Sequence, residues 1–585
     1  MRILGITLLL LFTLSFSIKE KSNPLFITDI KVTGKGELLM TCKGDKTLRL
    51  YDSTGKQLIR SWKLNNTPTG IDLWNNKAVV TCFDKEGQLL IIGLDSENDV
   101  TTIKTGSGTT SPIVDKTRNR AYICNQYASS ISEIDLANGK LLRSIPVLRE
   151  PRSIVLSKDR KTLFVANHLP AQRADVDYVA SAISVIDIAT FKKTKDILLE
   201  NGSNALGGMC LSPDGKYIFV AHNLGRFTVP TSQLQQGWMN TSAISIVDVN
   251  KQEFIASVLV DEPERGAAGT WDVSCTDDKL VVSHSGVHEI SVIDYPSFIK
   301  KFEAYPDKPN LNYDLRFLYD IRERIPLKGN GPRNFAINGQ IAYIPTYFSD
   351  DLNIYNLDNK SLSNISLNPD RIETPEEQGE RIFNDATYCF QNWQSCNGCH
   401  PGDGRMDGLN WDLMNDGLGN SKNCKSLLFS HVTAPSMISG IRENAELAVR
   451  KGFYHIQFYE ISEEDAKLVD AYLKALQPIP SPLLIDGELS DKAQKGKKIF
   501  EQLKCDNCHS GPYYTDMKMH RIGDDIEFEK GWDTPTLREV WRTAPYLFDG
   551  RAATMEDVFK EHKHGIDKKL SKSELEELVE YVNSL

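Results

Sequence analysis

From residue 38 to residue 355 one short phrase recurs: an alternating apolar run, a turn, then a second run that commonly closes on Asp. Leu163-Phe164-Val165-Ala166-Asn167 with Ile183-Ser184-Val185-Ile186-Asp187 is one copy. Leu280-Val281-Val282-Ser283-His284 with Ile290-Ser291-Val292-Ile293-Asp294 is another. We count seven copies, opening at Leu38, Ala78, Ala121, Leu163, Ile218, Leu280 and Ala342. Alternation of period two reads as strands, and turns between the runs read as antiparallel hairpins. The matched residues Cys42, Cys82 and Cys124 fall 40 and 42 residues apart, the spacing of a four-stranded propeller blade. Residues 24–368 are therefore predicted to form an all-β propeller of about seven blades. The later copies lengthen through insertions at 169–180 and 224–241. Phe26 to Val32 is read as the strand that closes the ring.

The last third of the chain carries a different pattern. Cys396-Asn397-Gly398-Cys399-His400 and Cys505-Asp506-Asn507-Cys508-His509 are two copies of C-x-x-C-H. Cys and His each occur 11 times in 585 residues, so chance supplies roughly 0.004 copies. Two thiols at this spacing can each add to one vinyl group of a haem, and the adjoining His then ligates the iron. Cys396, Cys399, Cys505 and Cys508 are thus read as attachment points for two haem c groups, with His400 and His509 as proximal ligands. Zinc would call for four converging Cys and His ligands, and thiol redox chemistry for a thioredoxin-like setting.

The surroundings of the two motifs are duplicated. Gly379-Glu380-Arg381-Ile382-Phe383 precedes one and Gly496-Lys497-Lys498-Ile499-Phe500 the other. Thr433-Ala434-Pro435 and Thr543-Ala544-Pro545 follow at matching distances. Each copy closes on an amphipathic helix: Val469, Tyr472, Leu473 and Leu476 share one face, as do Leu578, Tyr581, Val582 and Leu585. Gln477 to Pro482 reads as a stiff linker. The expected division is a signal peptide at 1–17, the propeller at 24–368, and two tandem all-α cytochrome c-like modules at 371–478 and 486–585. By repeat position, His455 is proposed opposite His400 and His562 opposite His509 as distal iron ligands. His564 competes with His562, and His431, Met517, Met519 and His520 are further candidates.

Cys508-His509-Ser510-Gly511-Pro512-Tyr513-Tyr514-Thr515-Asp516, Asp533-Thr534-Pro535-Thr536-Leu537-Arg538 and Thr543-Ala544-Pro545-Tyr546-Leu547-Phe548-Asp549-Gly550-Arg551 resemble the bacterial di-haem cytochrome c peroxidase and MauG family. The propeller phrase resembles YVTN repeats. The first resemblance covers about the last 215 residues and is stronger in the second module. It implies an exported peroxidase-like oxidoreductase with one electron-transferring and one peroxide-binding haem, often with a Ca2+ ion between them. A small cytochrome would serve as donor or acceptor, and hydrogen peroxide as oxidant. The chain departs from the family in offering His562 where Met or Tyr is usual, which lowers that haem's potential. His431, Glu443, Glu446 and Trp541 are weak candidates for catalytic roles, with Trp393 and Trp411 as further candidate electron relays. The alternative reading is a non-catalytic electron-transfer cytochrome whose propeller recognises a substrate or partner.

Charge and cysteine usage limit the rest. Lys and Arg number 68 against 78 Asp and Glu, a net charge of −10 without long runs of one sign. That argues against nucleic acid as a partner. Arg2, the apolar run from Ile3 to Phe16 and the Ser15-Phe16-Ser17 exit read as an export signal that is too short to span a bilayer. No stable membrane insertion is expected, and the mature chain is expected in the periplasm or at the cell surface. Cys42, Cys82 and Cys124 read as buried apolar groups, with a disulfide among them left open. Cys389 and Cys424 are a possible pair. His168, His222 and His284 are read as polar lining of the central channel, with a metal or ligand site as the alternative.

Overall fold

The computed structural model describes residues 22–228, 239–413, 421–522 and 529–585. The segment 1–17 lies outside the described residues, as does 229–238 of the second insertion. Seven antiparallel sheets follow one another along the chain, at 27–63, 68–104, 109–146, 151–198, 203–259, 270–326 and 336–366. Six have four strands and the fifth has five. The first strand of each blade is the inner one, and Ile27–Val32 lies beside both Pro68–Trp74 and Ala336–Asn338. The chain therefore closes a seven-bladed β-propeller.

Two recurring polar devices explain why the phrase repeats. An inner-strand Asp reaches the next blade: Asp29 accepts from the Ile71 amide at 3.0 Å and Asp72 from the Val114 amide at 2.7 Å. Within blades, a polar residue ending the second strand bonds a serine of the third. Asn125 donates to Ser132 and Asn167 to Ser184. His222 pairs with Ser245, and His284 with Ser291. The serine hydroxyl in turn meets the fourth strand at Ser144, Asp196 or Ser257. These buried side chains thus find polar partners inside the blade, as an apolar interior requires.

These contacts correct two expectations. His222 and His284 are fully buried inside their blades, where they replace the Asn of other copies, and they do not line the channel. Phe26 to Val32 does not complete the last blade, because 336–366 supplies all four of that blade's strands. The ring is instead fastened by Asp350, which accepts the amides of Leu25 and Phe26 and pairs with Arg371 at 2.9 Å. Cys42, Cys82 and Cys124 are buried as free thiols, and Cys389 and Cys424 are not joined. Cys424 instead lies against the first C-x-x-C-H, donating to the Cys399 carbonyl at 3.1 Å.

Beyond residue 371 helices alternate with irregular segments, and the same plan is built twice. Pro375–Phe383 crosses Glu463–Ala475, and Asp491–Gln502 crosses Lys572–Asn583. At the first crossing a Cβ on Gly379 would overlap the Leu468 carbonyl, and at the second a Cβ on Gly496 would overlap that of Glu577. Glycine alone allows this approach, which explains the duplicated glycines. Each crossing buries an aromatic pair, Phe383 with Tyr472 and Phe500 with Tyr581. Each unit also holds a two-residue β ladder, at Asn410–Trp411 with Lys422–Asn423 and at Met519–His520 with Trp532–Asp533.

The helical part sits on one end of the propeller. Glu150 of the propeller receives Arg542 at 2.7 Å in a fully buried pair, and Arg542 also reaches Glu539, which is held by Arg405. Asn240 donates to Gln394 and to the sulfur of Cys399, both at 3.2 Å. His288 meets Asp385 at 3.2 Å.

Candidate functional site

Both C-x-x-C-H segments form one tight turn, with the His400 amide donating to the Cys396 carbonyl and the His509 amide to that of Cys505. The turn brings the two sulfurs and the imidazole to one wall. His400 Nδ1 then meets the Arg405 carbonyl at 3.0 Å, and His509 Nδ1 meets the Tyr514 carbonyl at 3.1 Å. Each contact lies five residues downstream. With Nδ1–H donating there, Nε2 of each ring keeps its lone pair for a metal. Burial lowers the basicity of both rings, which favours the neutral, ligating form.

Burial pushes Cys396 up to about 12 and Cys505 up to about 11. Both thiols are thus held protonated in apolar surroundings.

Each motif opens into its own large, mainly apolar cavity. The first, about 1770 Å3 including its mouth, is bounded by Cys396, Cys399, His400, Trp411, Met437 and His455. The second, about 1610 Å3, is bounded by Cys505, Cys508, His509, His520, Trp532 and His564. They share a wall: Asn423, Cys424, Lys425, Ser426, Ile438 and Thr536 border both. The mainly apolar lining beside each motif is of the kind that a macrocycle with apolar faces requires.

The distal sides differ. His509 and His564 face each other with ring centroids 6.3 Å apart. Two metal–imidazole bonds of about 2 Å, plus about 1 Å from each nitrogen to its ring centre, sum to about 6 Å. Of the two competing histidines, His564 and not His562 borders the cavity. Among the described residues the first cavity has no matching pair. His455 borders it but is largely exposed at the end of Ala445–His455, its ring stacked edge-on to Tyr454. Among the described residues His400 and His455 do not form a facing ring pair.

The weak catalytic candidates do not border either cavity. His431 is tied to Asp470 at 3.0 Å and fixes a turn against Glu463–Ala475. Glu446 pairs with Lys474. Glu443 stands just before the helix Ala445–His455, and Trp541 lies at the propeller contact beside Tyr127. Trp393 is buried and bonded to Gln391. Trp532, stacked on Phe548 at 4.3 Å, borders the second cavity and was missed. Its position after an unremarkable loop gave no periodic signal. Among the described residues the one cluster of at least three His, Cys, Asp or Glu ligands is Cys508, Asp516 and His520. It mixes sulfur, oxygen and nitrogen, unlike the all-oxygen set that calcium takes.

No family model matches the chain. Hydrazine synthase subunit gamma of Kuenenia stuttgartiensis is 26% identical over 269 residues, covering 35% of this chain and 76% of that one. Subunit beta of the same enzyme is 24% identical over 238 residues, covering 39% of this chain and 58% of its own length. Cytochrome c551 peroxidase of Nitrosomonas europaea is 22% identical over 282 residues, covering 38% and 84%. A solved hydrazine synthase structure from Kuenenia stuttgartiensis matches at 18% identity and a TM-score of 0.52, covering 58% of this chain and 98% of that one. That last likeness shows fold alone. Together the sequence likenesses place the chain, distantly, near haem-related oxidoreductases. Among the described residues no helix is long and apolar enough to cross a membrane.

Proposed function

We propose that the chain is an exported di-haem oxidoreductase in which the two irons have different tasks. The proposal divides it into a propeller at 24–368 and two cytochrome c-like modules at 371–478 and 486–585. Cys396, Cys399 and His400 would hold one haem, and Cys505, Cys508 and His509 the other. When bound, these groups supply one-electron chemistry. The observation that carries the reading is the unequal distal sides. His509 and His564 stand as a closed pair, so the second site is suited to electron transfer. Among the described residues no imidazole faces His400, so the first site is suited to a small oxidant such as peroxide.

The protein's own work is positional. The carbonyls of Arg405 and Tyr514 fix the two proximal rings through Nδ1. The wall from Asn423 to Ser426 keeps the two cavities adjacent, a short path for electrons. Arg442 and Lys451 border the first cavity and give it polar groups that can bind and orient a small polar reactant. A small cytochrome or other redox protein would exchange electrons with the second site. Covalent attachment of haem on the exported side agrees with the sequence at 1–17 read as a signal.

Stopped-flow mixing of the reduced, haem-loaded chain with peroxide tests this. Oxidation faster than the uncatalysed rate, together with a high-spin ferric signal from one iron, is expected. Two permanently low-spin irons with no reaction would favour the electron-transfer alternative.

A further inference from the structure

Where the helical part covers the propeller, three cations from distant parts of the sequence meet around two aromatic rings. Arg152, on the inner strand of the fourth blade, lies 4.7 Å from the centre of the Trp271 indole. Arg333, just before the seventh blade, lies 4.2 Å from the same indole and 3.6 Å from the Tyr347 ring. Lys43, after the second strand of the first blade, donates to the Tyr347 hydroxyl at 3.2 Å. Trp271 and Tyr347 thus hold three like charges together by cation–π contacts and one hydrogen bond.

These charges are not paired off. Among the described residues no carboxylate lies within ion-pair distance of Lys43, Arg152 or Arg333, although the neighbouring Arg542 and Arg405 each have one. The polar partner of Arg152 is the buried ring of His168 at 3.1 Å, which burial and the nearby guanidinium keep neutral. Arg333 Nε is buried without a hydrogen-bond partner. Asp403 and Glu380 act on Lys43 and Arg333 through space but stop short of contact. Asp403 keeps exposed surface there, and Gly402 beside it lets the loop lie close to Arg542. Glu150 also acts on Arg152 but is itself bound by Arg542, so three cations face two uncommitted carboxylates and leave a net positive gap. Gathering like charges away from bulk water is costly unless a counter-charge is bound.

We propose that this gap is a binding site for a small planar oxyanion, a carboxylate or nitrate-like ion, held by Arg152 and Arg333 with Lys43 beside them. Guanidinium forks match the paired oxygens of such ions. Asp403 lies three residues after His400, so the occupied site would adjoin the first C-x-x-C-H loop. The inference stands on the propeller residues and does not depend on the haem reading.

Titration calorimetry of the full, haem-loaded chain tests it, with sodium nitrate and sodium acetate at ionic strength held constant with chloride. Saturable binding is expected, weakened at least about tenfold by Arg333→Gln and by Arg152→Gln, with Arg333→Lys intermediate. The haem absorption bands should not move. Melting curves of each variant confirm that it is folded before it is titrated. Absence of saturable binding, equal binding by the folded variants, or a haem band shift marking an anion at iron would each overturn the proposal. So would binding of glycine without acetate, since that requires an ammonium group.

Discussion

The imidazole of His564 stands opposite that of His509, the ring centres 6.3 Å apart and the planes inclined at 48°. His564→Ala should therefore open the second site and convert its ferric haem from low to high spin. His562→Ala should leave the spin state unchanged. Electron paramagnetic resonance of the two variants reads the difference, and the reverse result would exchange the roles of the two histidines.

Attachment is separable by module. Cys396→Ser with Cys399→Ser should remove one haem from the intact mass and abolish peroxide-driven oxidation. Cys505→Ser with Cys508→Ser should also remove one haem, but with it the low-spin signal. Mass spectrometry and spectra of the same samples check both.

The buried Arg542–Glu150 pair carries the propeller contact. Glu150 is held down at about 2, burial working against it while the Arg542 charge and hydrogen bond outweigh that cost. Glu150→Ala leaves a guanidinium buried beside the remaining Glu539 and should cost about 3–5 kcal/mol. Calorimetric melting checks it. Because this acid is depressed in the fold, its contribution is present above the ordinary carboxylate range, near pH ~4.3, and fades as pH falls towards 2.

Gly379→Ala and Gly496→Ala each insert a methyl group into a neighbouring carbonyl at a helix crossing. Each should destabilise by about 1–3 kcal/mol. Denaturant titration should show each loss, and the two should add, because the crossings are separate.

Asp407 is fully buried, accepts from the Trp411 indole at 2.8 Å and the Leu409 amide at 2.9 Å, and is pushed up to about 7 by burial. The fold holds this proton more tightly than the unfolded chain does. Stability from the group is therefore full below about pH 4 and declines as pH rises towards 7. Asp407→Asn should flatten the pH dependence of the melting temperature across that window.

The propeller was legible because period-two alternation is a local property and the blade repeats it seven times. The C-x-x-C-H turns were legible because that motif is contiguous and closes on itself. His564 was not, because the cavity wall is set by where the segment after Met555–Lys560 lies against the rest of its module, and a repeat count cannot tell residue 562 from 564. His222 and His284 misled for a related reason: a strand-end position does not state whether its side chain meets the channel or a serine on the next strand. The ring closure was missed because Asp350, Leu25 and Arg371 are brought together across more than 300 residues.

Asp350 is where the propeller's beginning, its last blade and the approach to the first helix are knotted at a single carboxylate. The last strand ends at Ser366 and Pro375 already begins the next helix, leaving little free length between them. Swinging the helical part aside would mean unfastening the ring itself. The irons proposed here would thus ride on a rigid platform, and a visiting redox protein would have to come to them.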